Sequence, residues 1–174
     1  MKLTMETQRL ILRPFTMADA EPMFYGWAND PEVTKYLTWN THESVETSKM
    51  IMGQWVEQYE KPERLIFAME LKENGQLIGV IDVVGYPDGV PEIGYAMSRT
   101  HWGKGLMTEA CSALLKLLFT IGHKEARIDA QVENIGSNRV IQKCGGVLLS
   151  TEACHRPMKN DTVMINRYVV RRPQ

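Results

Sequence analysis

The sequence has no run of apolar residues long enough to cross a bilayer, and its first residues, MKLTMETQRLILRP, lack the pattern of a signal peptide. Cysteine is also scarce: three occur in 174 residues, at Cys111, Cys144 and Cys154, without the spacing of a metal site. An odd, small number of cysteines in a chain of this length favours reduced thiols. We therefore expect a cytoplasmic protein with no membrane partner and no metal, rather than a secreted protein built on disulfides.

A strong excess of one charge is missing as well, since 20 basic side chains stand against 21 acidic ones. This balance argues against nucleic acid as a general partner. The charges are nevertheless unevenly placed, because residues 16–63 hold three bases and nine acids, a net charge of −6. A cationic ligand and a set of solvated helix faces both explain that acidic third.

Length and a 44% apolar content predict one globular domain over residues 1–174, as a monomer or a homodimer.

The spacing of apolar residues, caps and turn signals predicts an α/β protein with a mixed sheet. We expect the elements in the order β-α-α-β-β-β-α-β-α-β-β. The predicted helices span 16–27, 40–59, 106–121 and 137–144, and the predicted strands span 9–14, 66–71, 76–84, 92–97, 127–132, 146–150 and 162–170. Hairpins that lead into a β-α-β unit require both antiparallel and parallel neighbours in the sheet.

Two glycines flank a lysine at the start of the predicted helix over 106–121, in the stretch SRTHWGKGLMTEAC. A helix N-terminus exposes unpaired N–H groups and partial positive charge, and glycine lets a bulky anion approach them. The turn therefore favours a phosphate or pyrophosphate ligand, although a tight turn without a ligand is the alternative. Two standard phosphate motifs are absent, because Thr108 stands where a dinucleotide fingerprint has its third glycine and Gly105 follows Lys104 where a P-loop has serine or threonine.

A second polar turn lies in ENIGSNRVIQKCGG, residues 133–146, where Asn134 follows a predicted strand and Ser137 opens a predicted helix. Because two parallel strands would each lead into a helix start, we expect a cleft at their carboxyl ends. A plain N-cap would explain Ser137 but not Asn134.

Together these stretches resemble the GNAT superfamily of N-acetyltransferases, in the RimJ/RimL-like branch of ribosomal-protein N-terminal acetyltransferases. The resemblance covers nearly the whole chain and includes ETQRLILRPFTMADAE, NDPEVTKYL, LIGVIDV, EIGYAMSRTHWGKGLMTEA and the pattern N-x-x-S-x-x-V-x-x-K-x-G that begins at Asn134. It implies transfer of an acetyl group from acetyl-CoA to a primary amine, such as the α-amine of a protein or peptide. A small-molecule amine or antibiotic acetyltransferase and a non-catalytic acyl-CoA-binding sensor stay open.

The resemblance also implies a set of coenzyme-binding residues. The strand over 92–97 would splay from the strand over 127–132, and the pantetheine arm would enter that gap and pair with the backbone. Asn134 would bond the same arm, with Asn138 and Lys143 nearer the nucleotide. The backbone groups would come from Ala96 and Met97 for the arm and from Trp102, Gly103, Lys104, Gly105, Leu106 and Met107 for the pyrophosphate.

Three side chains are candidates for the chemistry. Glu92 heads the splayed strand and Asp129 lies on the opposite strand, so either would accept the proton of the amine, directly or through water. Ser137 would sit near the thioester sulfur. Many relatives have a tyrosine where this sequence has Ile141, and the substitution shifts protonation of the leaving thiolate to Ser137 or to water.

The acceptor would lie against the N-terminal third of the chain, which holds four aromatic residues: Trp27, Tyr36, Trp39 and Trp55. Ordinary core packing explains most of them, and we expect one or two to line the pocket. The net charge of −6 over residues 16–63 predicts an acceptor that is cationic or lies beside cationic groups.

Overall fold

The computed structural model describes residues 3–61 and 64–173. Within these ranges eight strands form one sheet in the order β1-β2-β3-β4-β5-β6-β8-β7. The strands are β1 (Met5–Glu6), β2 (Leu10–Arg13), β3 (Ile66–Leu71), β4 (Leu77–Gly85), β5 (Glu92–Met97), β6 (Glu125–Gln131), β7 (Val147–Arg156) and β8 (Asp161–Arg171). Neighbours run antiparallel except β5 and β6, which are parallel. The mixed sheet predicted from the sequence is therefore confirmed.

Five α-helices lie in the described ranges: α1 (Ala20–Met23), α2 (Pro31–Thr34), α3 (Val45–Gln58), α4 (Leu106–Thr120) and α5 (Ile135–Lys143). None of these described helices has the length and apolar content needed to cross a membrane. The helix predicted over 16–27 is present over residues 17–28, but it changes type along its length. It opens with a 3₁₀ turn over Met17–Asp19 and ends with a π-helical turn over Phe24–Ala28, which leaves Trp27 and Ala28 fully buried.

The start of α3 differs from the prediction of a cap at Asn40. Ser44 is the N-cap, and its hydroxyl accepts a hydrogen bond from the Thr47 N–H at 3.2 Å. The chain before it is held in a non-helical path by His42, which is buried and whose N–H donates to the Ala28 carbonyl at 2.8 Å. Four residues of the predicted helix thus belong to the preceding connection, because a long-range contact outweighs the local cap signal.

The last two strands are longer than predicted, at ten and eleven residues. β7 is an edge strand with mostly exposed residues, so no alternation of apolar and polar side chains marks its length. The two-residue strand β1 was not predicted, since a segment that short carries no periodic pattern. α5 also begins two residues earlier than the predicted start at Ser137.

The sheet has a hydrophobic core on each face. One core lies against α4 and α5, and the other lies against the N-terminal helices and α3. Since successive residues of a strand point to opposite faces, β5 contributes Ile93 and Met97 to the first core and Ala96 to the second. Glu92 lies on the same face as Ala96, toward the N-terminal helices.

β5 and β6 separate almost as soon as they meet. Their register contains two pairs, Glu92 with Arg127 and Ile93 with Ile128. Beyond the second pair β5 continues along β4 alone, through Met97, while β6 continues along β8. The expected splay is therefore confirmed, and it leaves one edge of β5 open inside the sheet.

Residues 34–40, which we call the strap, cross from the N-terminal helices to the β7–β8 hairpin. Arg156 of β7 is buried and donates to the main-chain carbonyls of Lys35 at 2.7 Å and Leu37 at 3.1 Å. The same guanidinium forms two bonds to the carboxylate of Asp161. Lys159, in the hairpin turn, donates to another strap carbonyl, that of Thr34, at 2.6 Å. The hairpin therefore holds the strap through its backbone.

We expect Arg156→Gln to lower the free energy of unfolding by about 1.5–3 kcal/mol, because charge-assisted hydrogen bonds to two carbonyls and a carboxylate are lost. Denaturant titration measures the loss. Arg171→Gln is the control, since Arg171 is exposed and lies 3.5 Å from Glu125 on the paired strand. Equal losses in the two variants would show that Arg156 does not fasten the strap.

Candidate functional site

The glycine turn after β5 forms an open loop in front of α4. A 3₁₀ turn over Arg99–His101 leads into it, and Gly105 occupies the N-cap position of the 15-residue helix. Gly103 and Gly105 have φ angles of +74° and +76°. These values lie in the left-handed region, where a residue with a side chain is strained. A Cβ at Gly103 would meet no atom within 4 Å, so the space beside Gly103 is open, whereas a Cβ at Gly105 would lie 3.5 Å from the guanidinium of Arg9.

The loop residues divide into exposed and buried ones. Trp102, Gly103, Lys104 and Gly105 are exposed, whereas the side chains of Leu106 and Met107 are buried in the core on the α4 face. The two buried residues can therefore offer only backbone N–H groups at the helix start. The Trp102 indole donates to the Met97 carbonyl at 2.9 Å, which fixes the loop to the end of β5.

The loop is supported from behind by Arg9, a residue that the sequence analysis did not single out. Its guanidinium donates to the Lys104 carbonyl at 2.9 Å and to the Glu109 carboxylate at 2.8 Å. Burial opposes the charge on Glu109, but the bonds from Thr7 and Arg9 outweigh it and keep the pKa of Glu109 below its ordinary value. Nothing local in the sequence links Arg9 to a loop 95 residues away, so only the fold reveals this contact.

Polar groups also meet at the start of α5. Asn134 is the N-cap, and its side-chain oxygen accepts from the Ser137 N–H at 3.1 Å. The suggestion that Ser137 is a plain N-cap is therefore wrong. Its hydroxyl instead lies 2.8 Å from the hydroxyl of Tyr95 on β5. Burial raises the pKa of Tyr95, so this phenol keeps its proton.

Asn138 is buried, and its side chain bonds only to protein groups. Its amide nitrogen donates to the carbonyls of Gln131 at 2.9 Å and Asn134 at 2.8 Å. Its oxygen accepts from Tyr168 at 2.8 Å and Asn166 at 2.9 Å. These four bonds fill the capacity of an amide side chain, so Asn138 ties α5 to β6 and β8 and has no group left for a coenzyme.

Lys143, the other residue expected near the nucleotide, is exposed in the last turn of α5. A helix rises about 1.5 Å per residue, which puts Lys143 about 12 Å along the helix from its start. The structure therefore separates Lys143 from the polar groups around Asn134.

Two carboxylates lie where β5 and β6 part. Glu92 belongs to the first residue pair between these strands. Asp129 directly follows Ile128, which belongs to the second and last pair. Asp129 is held by Arg167 of β8, which also bonds Glu152 of β7. Burial, with smaller contributions from the charges of Glu92 and Glu152, raises the pKa of Asp129 to about 6 against the opposing effect of Arg167. The side chain of Glu92 has no ion pair among the residues that the structure describes.

A third carboxylate, which the sequence analysis missed, lies on the same face. Asp82 of β4 is paired with Gly94 across the β4–β5 register and is bonded to Arg64 at 3.1 Å. Burial raises the pKa of Asp82 to about 6, although the charge of Arg64 lowers it. Gly94 has no side chain, and the side chains of β4 occupy the space above it: a Cβ there would lie 2.6 Å from Cγ1 of Val84 and 3.4 Å from a carboxylate oxygen of Asp82. The presence of an aspartate inside a predicted apolar strand was the feature of the sequence that could have identified Asp82 as a candidate site residue.

The acidic N-terminal third is less negative in effect than its composition suggests. Three of its carboxylates form ion pairs within about 3 Å of a base. The pairs are Asp19 with Arg13, Asp30 with Arg99 and Glu32 with Lys35. The carboxylates nearest the splay are instead those on β4, β5 and β6.

The four aromatic candidates have different surroundings. Trp27 is fully buried in the core, whereas Trp39 and Trp55 are half-buried against it. Tyr36 belongs to the strap, and its hydroxyl donates to the Glu133 carbonyl at 3.5 Å, next to the start of α5. Tyr36 is therefore the aromatic residue of this group that reaches the rim of the splay.

The profile of the "Acetyltransferase (GNAT) domain" family matches residues 9–147, and the chain belongs to this family of acetyl-CoA-dependent N-acetyltransferases. It is 33% identical over 132 residues to "Uncharacterized N-acetyltransferase p20" of Bacillus licheniformis, across 75% of this chain and 73% of that protein. It is 31% identical over 144 residues to "Uncharacterized N-acetyltransferase YoaA" of Bacillus subtilis, across 81% of each chain.

Solved structures share the fold at low sequence identity. An acetyltransferase (GNAT family) from Bacillus anthracis superposes with a TM-score of 0.85 at 23% identity, over 97% of this chain and 98% of that one. The Microcin C7 self immunity acetyltransferase MccE, in complex with acetyl-CoA and AMP, gives 0.83 at 20% identity, over 95% and 93%. RimL, a ribosomal L7/L12 alpha-N-protein acetyltransferase, in complex with coenzyme A, gives 0.84 at 16% identity, over 97% and 98%.

Proposed function

We propose that this acetyltransferase transfers the acetyl group of acetyl-CoA to the α-amine of a peptide or protein, with Glu92 or Asp129 as the proton acceptor. The observation that carries the proposal is the parting of β5 and β6 beside two helix N-termini, with both carboxylates at its root. A small-molecule amine or antibiotic is the alternative acceptor. Family membership supports the donor and the reaction class.

The pyrophosphate of the coenzyme would bind at the loop before α4. Its negative charge would meet the backbone N–H groups of residues 102–107 and the positive end of the helix dipole, while Lys104 adds a cation. The positive φ angles of Gly103 and Gly105 and the open space over Gly103 fit this role. Arg9 would act behind the loop, since its bond to the Lys104 carbonyl keeps the N–H groups facing outward.

The pantetheine arm would lie along the open edge of β5. β6 has no residue paired with Ala96 or Met97, so backbone groups of this stretch that are not bonded to β4 would bind the arm; the Met97 carbonyl is excluded, since it accepts from the Trp102 indole. The Asn134 oxygen is committed to the Ser137 N–H, so its amide nitrogen would be the group that donates to the arm. A backbone N–H of the same β5 edge would stabilise the developing oxyanion.

The acceptor amine must lose a proton. At pH 7 deprotonation costs about 4–5 kcal/mol for a lysine-like amine and about 1–1.4 kcal/mol for an α-amine. With either carboxylate as the base, the smaller cost of deprotonation favours an α-amine over a lysine as the acceptor.

The choice between the two carboxylates depends on freedom and basicity. Asp129 has the raised pKa but is tied to Arg167, whereas Glu92 lies on the same face without an ion pair among the described residues. Glu92 would therefore take the proton from the amine. Asp129 would either receive that proton from Glu92 or act as the base in place of Glu92.

The departing thiolate needs a proton on the opposite face of β5. Ile141 is fully buried and has no proton to give. The Ser137 hydroxyl would supply this proton. The Tyr95 hydroxyl, which lies 2.8 Å from the Ser137 hydroxyl, would then return a proton to Ser137. Deprotonation and protonation would then occur on opposite sides of the coenzyme.

A thiol-release assay with acetyl-CoA tests the proposed acceptor. Peptides with a free α-amine should release coenzyme A, and the same peptides with a blocked N-terminus should not. Basic peptides should be preferred, and raised salt should increase their KM, since exposed charges are screened beyond about 8–10 Å at physiological ionic strength. Release with small amines or antibiotics alone would favour the alternative acceptor, and binding without release would indicate a sensor.

We expect Gly105→Ala to weaken acetyl-CoA binding about tenfold or more, because a side chain strains the positive φ of this turn and its methyl group would contact Arg9, which supports the loop whose N–H groups would face the pyrophosphate. Gly75→Ala is the matched control. Gly75 has nearly the same φ, +71° against +76°, but lies in the turn between β3 and β4. Calorimetry on both folded variants gives the affinities. If both bind normally, the loop glycines serve only the turn.

We expect Glu92→Gln to lower kcat/KM at pH 7 by about 10²–10⁴-fold, the usual contribution of a positioned base. Much of the loss should return at high pH, where the amine loses its proton unaided. Asp129→Asn should cost less.

The pH profile separates the two carboxylates. A loss of less than tenfold for Glu92→Gln at every pH would exclude it as the base. If Asp129 is the base instead, activity should fall as the pH drops through about 6, where its carboxylate is protonated. The Asp129→Asn variant should then lack this fall of activity at low pH.

A further inference from the structure

Two of the three cysteines meet on the α4 face of the molecule, away from the carboxylates. Cys144 follows the last residue of α5, and its sulfur lies 3.7 Å from the Thr108 carbonyl and 3.6 Å from the Ser112 hydroxyl. Both residues belong to α4, and Cys111 lies between them in the helix. Because positions three and four residues apart share one helix face, the Cys144 thiol lies beside the Cys111 thiol, and the two thiols influence each other's pKa.

The two sulfurs differ in access. Cys111 is fully buried, whereas Cys144 is partly exposed. Cys144 lines an open groove of about 470 Å³ between α4 and the end of β8. Lys116 and Arg172, both exposed, also line this groove and give it a positive character. A small oxidant in solution can thus reach Cys144 but not Cys111.

The surroundings also divide the two thiols chemically. Hydrogen bonds with Cys111 and Ser112 lower the pKa of the Cys144 thiol, although its burial opposes this. The interaction with Cys144, together with burial, raises the pKa of Cys111. A thiolate is the nucleophilic form of cysteine, so the accessible member of the pair is also the more reactive one.

We propose that Cys144 is a hydroperoxide-reactive cysteine and that Cys111 resolves its oxidised form as an intramolecular disulfide between α5 and α4. In the first step the Cys144 thiolate attacks the peroxide, the O–O bond breaks, and the departing oxygen takes a proton and leaves as water or an alcohol. Cys144 becomes a sulfenic acid. The Cys111 sulfur then attacks the Cys144 sulfur, and hydroxide leaves with the Cys111 proton as water. The peroxide is reduced by two electrons, and the two thiols are oxidised by two.

Graded hydrogen peroxide treatment of the full-length protein, followed by intact mass and a non-reducing peptide map, tests the proposal. We expect loss of two hydrogen atoms, a Cys111–Cys144 cross-link, and full reversal by a thiol reductant. Cys144→Ser should slow peroxide consumption about tenfold or more. Cys154→Ser is the matched control and should leave the cross-link intact, because Cys154 lies on β7 and has no cysteine neighbour within the described residues.

Cys111→Ser separates the two steps, since Cys144 should still react and should remain as a sulfenic acid that dimedone traps. Cys111→Ala provides the same test if serine disturbs the core. The proposal is overturned if Cys154 reacts first, or if Cys144 proceeds to sulfinic acid while Cys111 stays reduced. A cross-link between two molecules in place of the internal one would overturn it as well.

Discussion

The separation of β5 from β6 after two pairs is the constraint on which the rest of this molecule depends. Buried main-chain N–H and C=O groups normally require partners, and an unpaired edge in the middle of a sheet is costly unless something fills it. The helices that follow the two strands, α4 and α5, both begin at the end where the strands part. An unpaired edge and two helix N-termini therefore share one mouth, which suits a ligand with amide groups at one end and phosphates at the other.

The alternation of side chains along β5 divides the chemistry between two faces. Glu92 and Asp129 lie on the side of the N-terminal helices, and Tyr95 reaches Ser137 on the side of α4 and α5. On the proposed mechanism a proton leaves the acceptor on one face and another reaches the sulfur on the other face. The two proton transfers can thus be tuned independently, since no side chain takes part in both.

Local signals predicted the framework of the fold well. The alternating and helical patterns placed β3, β4, β5 and α4 close to their observed bounds, and the two loop glycines proved to have positive φ angles. Local signals failed where a distant contact competes with them. Ser44 replaces the predicted cap at Asn40 because the intervening chain bonds to Ala28, and Asn134 takes the cap that Ser137 was suggested to fill.

The site was harder to predict than the fold, because its side chains are oriented by residues far away in the sequence. Arg9 supports a loop 95 residues away, and Arg167 holds Asp129 across 38 residues. No spacing rule connects such pairs. Asn138 shows the converse, since a motif position suggested a ligand contact while the fold uses all four side-chain bonds of this residue internally.

The strap has a consequence for how such an enzyme can change during evolution. Arg156 and Lys159 hold it through main-chain carbonyls and not through its side chains. A mutation that replaces a strap side chain leaves those carbonyls in place, so the segment can acquire a new surface without losing its anchor. Tyr36, whose side chain reaches the rim of the splay, is such a replaceable position. Substitution at Tyr36 would therefore change the surface at the rim of the splay while the backbone anchors of the strap stay in place.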